Sequence, residues 1–153
     1  MIYVASSWRN ANQQRVVAEL RAAGHDVYDF QDPAQGNYAA FHWSEIDSGW
    51  KQWEPEQFIA GLGHSVAKQG FALDFDAMRR SDVCVLVLPC GRSAHLEAGW
   101  FAGRHKELHV LVPADYGEPE LMYLLAGDPK THMHTSMESL LIALAADRRD
   151  GLS

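Results

Sequence analysis

Apolar and polar positions recur along this chain in two periods, and the switches between them mark out the elements. Ile2–Ser6 is a short apolar run ending in small polar residues. Asn10–Ala23 carries apolar residues at Val16, Val17, Leu20 and Ala23, spaced as one face of a helix, and Gly24 stops it. His25–Phe30 alternates and reads as a second strand, so residues 1–30 predict a β-α-β unit with a crossover suited to parallel strands. Glu56–Lys68 and Phe71–Arg80 read as helices. Asp82–Leu88 (DVCVLVL) is the strongest strand, apolar on both faces as a central parallel strand is. Ala94–Arg104 predicts a helix, Leu108–Val112 a strand, Glu118–Ala126 a helix and Thr131–His134 a short fifth strand. Met137–Ala146 is a last amphipathic helix, and the tail DRRDGLS is expected to fray. This alternation predicts one doubly wound, Rossmann- or flavodoxin-like α/β domain over residues 1–153, with a five-stranded parallel sheet, Asp82–Leu88 central, and helices on both faces.

Gln31–Pro55 breaks the pattern. It holds Tyr38, Phe41, Trp43, Trp50 and Trp53 together with Gly36 and Gly49. From Asp26 to Glu56 there are seven acids and one Lys, a net of −6. A long aperiodic stretch inside a compact domain is usually functional, and its aromatic content argues against disorder. Trp43, Trp50 and Trp53 fit equally a satellite core or a lid that stacks on a base.

Charge and composition narrow the function. Lys and Arg total 13 and Asp and Glu 20, a net charge of −7. So acidic a chain is a poor partner for a nucleic-acid polymer, whose binding draws most of its affinity from basic patches. A small anion in a local pocket stays open, and Arg outnumbers Lys nine to four, which suits bidentate phosphate contacts. No apolar run approaches the ~18–20 residues of a membrane helix, and MIYVASSWRN lacks the pattern of a secretory signal. The expected location is cytoplasmic, with no membrane partner. Cys84 and Cys90 are six apart on an extended run, on the order of 20 Å, so both are expected to be reduced.

Ligands of doubly wound sheets bind beyond the carboxyl ends of the strands. That rule selects Ser6, Ser7, Trp8 and Arg9 after strand one, and Cys90, Gly91, Arg92 and Ser93 after strand three. Asp82 begins strand three and falls at the opposite rim. Asp74, read as opening the helix that feeds strand three, falls at the ligand rim. Ser93 suits the N-cap of the following helix. Glu97 is then one turn in, out of register for a capping box and flanked by Leu96, Ala98, Gly99 and Trp100. A carboxylate in so apolar a setting at a ligand rim is a candidate for chemistry.

Ile2-Tyr3-Val4-Ala5-Ser6-Ser7-Trp8, Asp74 through Asp82-Val83, and Glu97-Ala98-Gly99 together resemble the nucleoside 2-deoxyribosyltransferase family, including its deoxynucleoside 5′-monophosphate N-hydrolase relatives. The resemblance covers roughly residues 1–30 and 70–112. It implies a single domain of that type, a small-molecule nucleoside or nucleotide as partner, and a homo-oligomer. Glu97 matches the nucleophilic glutamate, Tyr3 the strand-one tyrosine beside it, and Asp74 an active-site aspartate eight residues before the strand-three aspartate. Ser7 and Arg9 match the phosphate-contacting Ser-x-Arg of the hydrolases. Trp8, Arg92 and Ser93 join them as candidate substrate contacts on the rim. Where the transferases carry a second aspartate, six residues before the glutamate, this chain has Gly91.

The implied activity is cleavage of the N-glycosidic bond of (deoxy)nucleoside 5′-monophosphates or nucleosides. A carboxylate can stabilise the oxocarbenium-like transition state or form a covalent glycosyl-enzyme. Ionised Glu97 fits that role, favoured by the helix N-terminus, with the Tyr3 hydroxyl orienting it and Asp74 protonating the leaving base. Hydrolysis of the monophosphate is favoured over base transfer. The alternatives are a deoxyribosyltransferase acting on free nucleosides and a nucleotide-binding sensor without turnover. Residues 4–10 (VASSWRN) lack a Gly-rich dinucleotide fingerprint, and neither cofactor nor metal is expected. His132 and His134 alternate on one strand face, but no acid or cysteine beside them completes a metal motif. His95, two residues from Glu97, is expected to serve solvent or capping. Asp76, Arg79 and Arg80 read as solvated helix surface, and Asp29 and Asp32 as rim acids within reach of sugar or base.

Overall fold

The structure, a computed structural model, describes residues 1–33, 40–127 and 131–150. Gly36 and Tyr38 of the aromatic stretch and the last three residues of the tail lie outside the described residues. The chain divides into two units, Met1–Asp29 with Arg80–Ser153, and Phe30–Arg79.

The first unit holds the sheet. Strands β1 (Ile2–Ala5), β2 (Val27–Asp29), β3 (Val83–Val87), β4 (Glu107–Leu111) and β5 (Thr131–His134) are all parallel, in the order β2-β1-β3-β4-β5. The apolar run Asp82–Leu88 is thus the central strand. Side chains alternate across the sheet, and each face has its own cover. Ile2, Val4, Val85, Val87 and Leu111 pack against Val16, Val17 and Leu20 of α1 (Asn12–Ala22) and Leu140 and Leu144 of a C-terminal helix, Met137–Asp150. That helix takes in part of the tail expected to fray. Tyr3, Ala5, Cys84 and Leu86 point the other way. There Tyr3 meets Phe101 of the helix Arg92–Gly103, whose Ala94 and Ala98 are also buried. Each large side chain taken fully from water contributes about 1.5–3 kcal/mol, so the interleaved Val, Ile and Leu of both faces dominate the stability of this unit.

At the amino ends of the strands Asp82 pairs with the N-terminal amino group at 3.4 Å. A cavity of about 240 Å³ opens there, lined by His25, Asp26, Asp82 and Glu107 among others. Asp82 therefore sits at the rim opposite the ligand end, as the strand rule requires.

The second unit contains two short 3₁₀ turns, Trp43–Glu45 and Trp50–Gln52, then α2 (Pro55–Leu62) and α3 (Ser65–Arg80), the latter running on into the first unit by one residue. In chain order Arg92–Gly103 is α4 and Met137–Asp150 is α5. The break between α2 and α3 falls at Gly63–His64, and Gly70 lies inside α3. The reason is packing: a Cβ on Gly70 would come within 2.7 Å of the Phe41 Cβ. Gly70 is bare to admit Phe41, at a helix-propensity cost of ~1 kcal/mol. Gly61 admits Trp53 in the same way, where a Cβ would meet the ring at 2.5 Å. Trp43 packs edge-on to Phe41 at 4.9 Å and to Trp53 at 5.7 Å, and the Trp53 indole donates to Asp47 at 2.6 Å. Trp43 and Trp53, both half-buried, thus belong to one aromatic cluster of this unit. One expectation is corrected here. Asp74 does not open a helix; it lies past the middle of the 16-residue α3, so the argument that put it at a helix start falls. No helix among the described residues is long and apolar enough to cross a membrane.

Candidate functional site

In a sheet of this order the crevice lies where β1 and β3 adjoin, because the connections leaving them diverge to opposite faces. Buried hydrogen bonds fasten the two exits to each other. Asn10 is 7% exposed, and its Nδ2 donates to Ser6 Oγ at 3.0 Å, Val87 O at 3.2 Å and Pro89 O at 3.1 Å. Ser6 Oγ donates in turn to Val87 O at 2.9 Å. The Asn10 Oδ1 accepts from Asn12 N at 2.9 Å and so caps the start of α1. Sequence reasoning passed over Asn10, because nothing local distinguishes a rim asparagine that reaches 77–79 residues along the chain.

Ser7, Trp8 and Arg9 form the turn held by this staple. Ser7 Oγ accepts from Arg9 N at 3.2 Å, and Ser7 O from Asn10 N at 2.9 Å. Trp8 and Arg9 are exposed. Across the crevice α4 begins at Arg92, two residues earlier than a Ser93 cap implies. Its N-cap is Gly91, extended at φ −90° and ψ −177°, with no side chain bonded to the free N–H groups. Ser93 is the second helical residue, exposed like Arg92. Neither the Arg9 nor the Arg92 guanidinium forms an ion pair among the described residues.

Glu97 is half-buried, and its side on the helix follows from its neighbours. Ala94, Ala98 and Phe101 are all buried, and Glu97 shares their stripe at the i, i+3, i+4, i+7 spacing. It therefore faces the sheet and not bulk water. Its charge registers on two thiols. Burial first, and then the Glu97 carboxylate, pushes Cys84 up, and the same two causes in the same order push Cys90 up to about 12. Both cysteines are free and protonated at neutral pH. Cys84 pairs in register with Tyr3, which is wholly buried with its ring 5.4 Å from Tyr28 and 5.8 Å from Phe101. Tyr3, Cys84 and Glu97 thus gather between β1, β3 and α4. Glu97 lies beyond the first turn of α4, where the helix dipole has largely fallen off.

His95 bonds at the start of α4 and also reaches a distant partner. Its Nδ1 lies 2.9 Å from Gly91 O and its Nε2 2.9 Å from the Tyr123 hydroxyl, with Cys90 Sγ 3.5 Å from Nδ1. The His95 and Tyr123 rings stack at 5.8 Å. Tyr123 comes from a 3₁₀ segment, Leu121–Gly127, and burial, then Cys90 and Glu120, push its hydroxyl up to about 12. The His95 bond to the carbonyl of the N-cap residue Gly91 is a capping contact, and the Tyr123 partner, 28 residues away, is the addition that helix geometry alone does not reveal.

Asp74 belongs to the second unit, half-buried on α3. Asp29 is buried at the end of β2, and its two oxygens accept from Gln13 Nε2 at 2.8 Å and Gln14 Nε2 at 2.9 Å. Both oxygens are thereby engaged with α1. His132 and His134 stack on His109 at 5.1 Å each; His109 Nδ1 lies 2.8 Å from His134 Nε2, and its Nε2 2.5 Å from Glu107. This is a hydrogen-bonded stack, and no group of three or more metal-ligating side chains occurs among the described residues.

No family model matches the sequence, and no curated protein matches it. Among solved structures, the chain is similar to the CMP N-glycosidase BcmB of Clostridium botulinum, with a TM-score of 0.53 and 15% identity over 94% of this chain and 97% of that one. At that identity the likeness lies in the three-dimensional arrangement: the five-stranded parallel α/β fold described above is shared with an N-glycosidase along nearly the whole of both chains.

Proposed function

We propose that this chain cleaves the N-glycosidic bond of a nucleoside 5′-monophosphate and releases the free base. The observation that carries the reading is Glu97, a carboxylate half-buried on the sheet-facing side of α4 beside the β1–β3 crevice, in a fold that a CMP N-glycosidase shares. Glu97 attacks the anomeric carbon, the C1′–N bond breaks with its electron pair leaving on the base, and water then attacks the glycosyl ester and regenerates the carboxylate. The two thiols on which the Glu97 charge acts remain neutral, so neither repels the ionised carboxylate that faces the developing positive charge on the sugar. Tyr3 supplies the wall behind Glu97. Asp74 is the residue we assign to protonating the departing base, on the family resemblance alone.

The phosphate is assigned to Ser7 and Arg9 with Arg92 and Ser93, and Trp8 borders the same turn. Two guanidiniums that form no ion pair among the described residues, and the N-terminus of α4 without a side-chain cap, suit a dianion. Gly91, where the transferases carry a carboxylate, favours water over a second base as acceptor. Incubation with a panel of nucleosides and 5′-monophosphates, followed by chromatography for free base, tests the reading. Release is expected from monophosphates far ahead of nucleosides, and Glu97→Gln should lower it by orders of magnitude. Equal cleavage of nucleoside and nucleotide, or base exchange outrunning hydrolysis, would favour the transferase. Nucleotide binding without any base release would favour a sensor.

A further inference from the structure

Asn10 joins the two segments assigned to the phosphate, and its amide has one orientation. Val87 O and Pro89 O are carbonyls and only accept, so Nδ2 faces them at 3.2 and 3.1 Å. Oδ1 then faces the Asn12 N–H at 2.9 Å. Ser6 Oγ, whose own proton goes to Val87 O at 2.9 Å, accepts from Nδ2 at 3.0 Å. Two amide protons thus serve three acceptors. An aspartate in this place has no proton for the carbonyls, and a serine hydroxyl has one.

Each side of this staple leads to a group assigned to the phosphate. On the β1 side the Asn10 N–H donates to Ser7 O at 2.9 Å and closes the Ser7–Arg9 turn. Inside the turn Ser7 Oγ accepts from Arg9 N at 3.2 Å, a bond that does not use the hydroxyl's own proton. On the β3 side the sheet anchors the chain as far as Leu88, whose N–H donates to Leu111 O at 3.1 Å. Asn10 holds Pro89, the next residue, and Gly91, two further on, is the N-cap of α4. A dianion gripped from two segments responds to any change in their spacing. Charge-assisted bonds are short, about 2.7–2.9 Å, and a misplacement of about 1 Å costs on the order of a hundredfold. We propose that Asn10 is the positioning residue of the phosphate site: it sets the spacing between the Ser7–Arg9 turn and the start of α4, and through it the preference for nucleotides over nucleosides. Its side chain is spent on the protein and is 7% exposed, so it acts through these segments and not on the substrate. The inference rests on the phosphate assignment above.

The test reads kcat/KM for the 5′-monophosphate that wild type cleaves fastest, as a ratio to that of its parent nucleoside. Asn10→Ser keeps an oxygen to cap Asn12 and removes the amide donors. It should lower the nucleotide kcat/KM about tenfold or more, mainly through KM, and leave the nucleoside value within about threefold. If Asn10→Ser does not fold, Asn10→Gln, which carries the amide on a longer arm, takes its place with the same outcomes. Leu20→Ala, a cavity in the fully buried face of α1, controls for lost stability. It should lower the melting temperature at least as far and keep the ratio. A ratio that the Asn10 variant leaves within about threefold of wild type, or that Leu20→Ala collapses equally, overturns the inference. So does a wild type that cleaves nucleoside and nucleotide alike. If wild type releases no base from any substrate, the glycosidase reading fails on its own. Calorimetric affinities for adenosine, guanosine, cytidine, uridine and their 5′-monophosphates then decide this inference. A monophosphate bound more tightly than its nucleoside, and weakened about tenfold by the Asn10 variant but not by Leu20→Ala, upholds it. Equal or absent binding, or an unchanged affinity in the Asn10 variant, overturns it.

Discussion

Replacing Asn10 with Ala should cost the fold about 2–6 kcal/mol, although the Asn10 side chain bonds to none of the residues assigned to chemistry. The side chain makes four hydrogen bonds from a nearly closed position. Their loss is unequal. Val87 O keeps the Ser6 hydroxyl as a donor at 2.9 Å. Asn12 is half-buried and Pro89 exposed, so water can reach the Asn12 N–H and the Pro89 carbonyl, and each lost bond costs about 0.5–1.5 kcal/mol. Ser6 Oγ is buried and loses its donor, at about 1–3 kcal/mol. At about 2–4 °C per kcal/mol for a chain of this size, the melting temperature should fall by roughly 4–24 °C. Asn10→Asp sharpens the test. It keeps the oxygen that caps Asn12 but turns the other oxygen toward the Val87 and Pro89 carbonyls. At pH 7 it should be less stable than Asn10→Ala, despite its closer shape. The folded state raises the pKa of the introduced carboxyl, because only the protonated form can donate. Stability is then fully present below the unfolded value of ~3.9 and is lost as pH rises through the folded value. Urea unfolding at pH 4.5 and 7 measures both effects, with wild type as reference. The staple has no energetic content if Asn10→Ala stays within about 0.5 kcal/mol of wild type, or if Asn10→Asp matches wild type at pH 7.

Three further outcomes follow from the geometry. Glu97→Gln removes a charge that holds the Cys90 thiol up, so Cys90 should alkylate faster with iodoacetamide in the variant than in wild type between pH 8 and 9; an unchanged rate would place the Glu97 carboxylate away from Cys90. The His134 imidazole is held down to about 4 by burial and then by His109 and His132, while the unfolded value is ~6.5. The unfolded chain therefore takes up a proton that the folded one refuses. Stability should fall by on the order of 1–2 kcal/mol as pH drops from 6.5 toward 4, and His134→Gln should flatten the loss in urea titrations. Gly61→Ala should destabilise the second unit, with a Cβ 2.5 Å from the Trp53 ring, whereas Gly99→Ala, with nothing within 4 Å, should stabilise α4 by about 0.5–1 kcal/mol. Differential melting followed by tryptophan fluorescence separates the two.

The sheet was legible because each strand has a distinctive local pattern. DVCVLVL has no polar face, so it had to be covered on both sides, and β3 is the central strand. Gly24, at φ +80°, ends its helix where the sequence placed the stop. The breaks that misled are those in which a residue's reason for being there is remote. Gly70 looks like a helix terminator but is a notch for Phe41, and the error carried Asp74 with it. Ser93 looks like a cap, yet α4 starts earlier on Gly91. The site divides along the same line. Glu97 is a candidate from its apolar neighbours and its strand-end position, and it lies half-buried on α4. Asn10 and Tyr123 could not be picked out, because their partners lie 77–79 and 28 residues away and no periodic pattern points to them.

A chain of net −7 that binds a phosphate dianion must create a local positive field against its own average. Long-range attraction is of little use at physiological ionic strength, where charges beyond ~8 Å are screened. The field has to come from groups in direct contact. Arg9 and Arg92 are exposed and outside any ion pair among the described residues, and the first N–H groups of α4 carry no side-chain cap. The Asn10–Ser6–Val87–Pro89 hydrogen bonds hold the two exits that carry them. On the proposed reading, a rim whose backbone is tied down and whose two arginines form no ion pair among the described residues suits an incoming phosphate, and a nucleoside without its phosphate would leave both arginines idle.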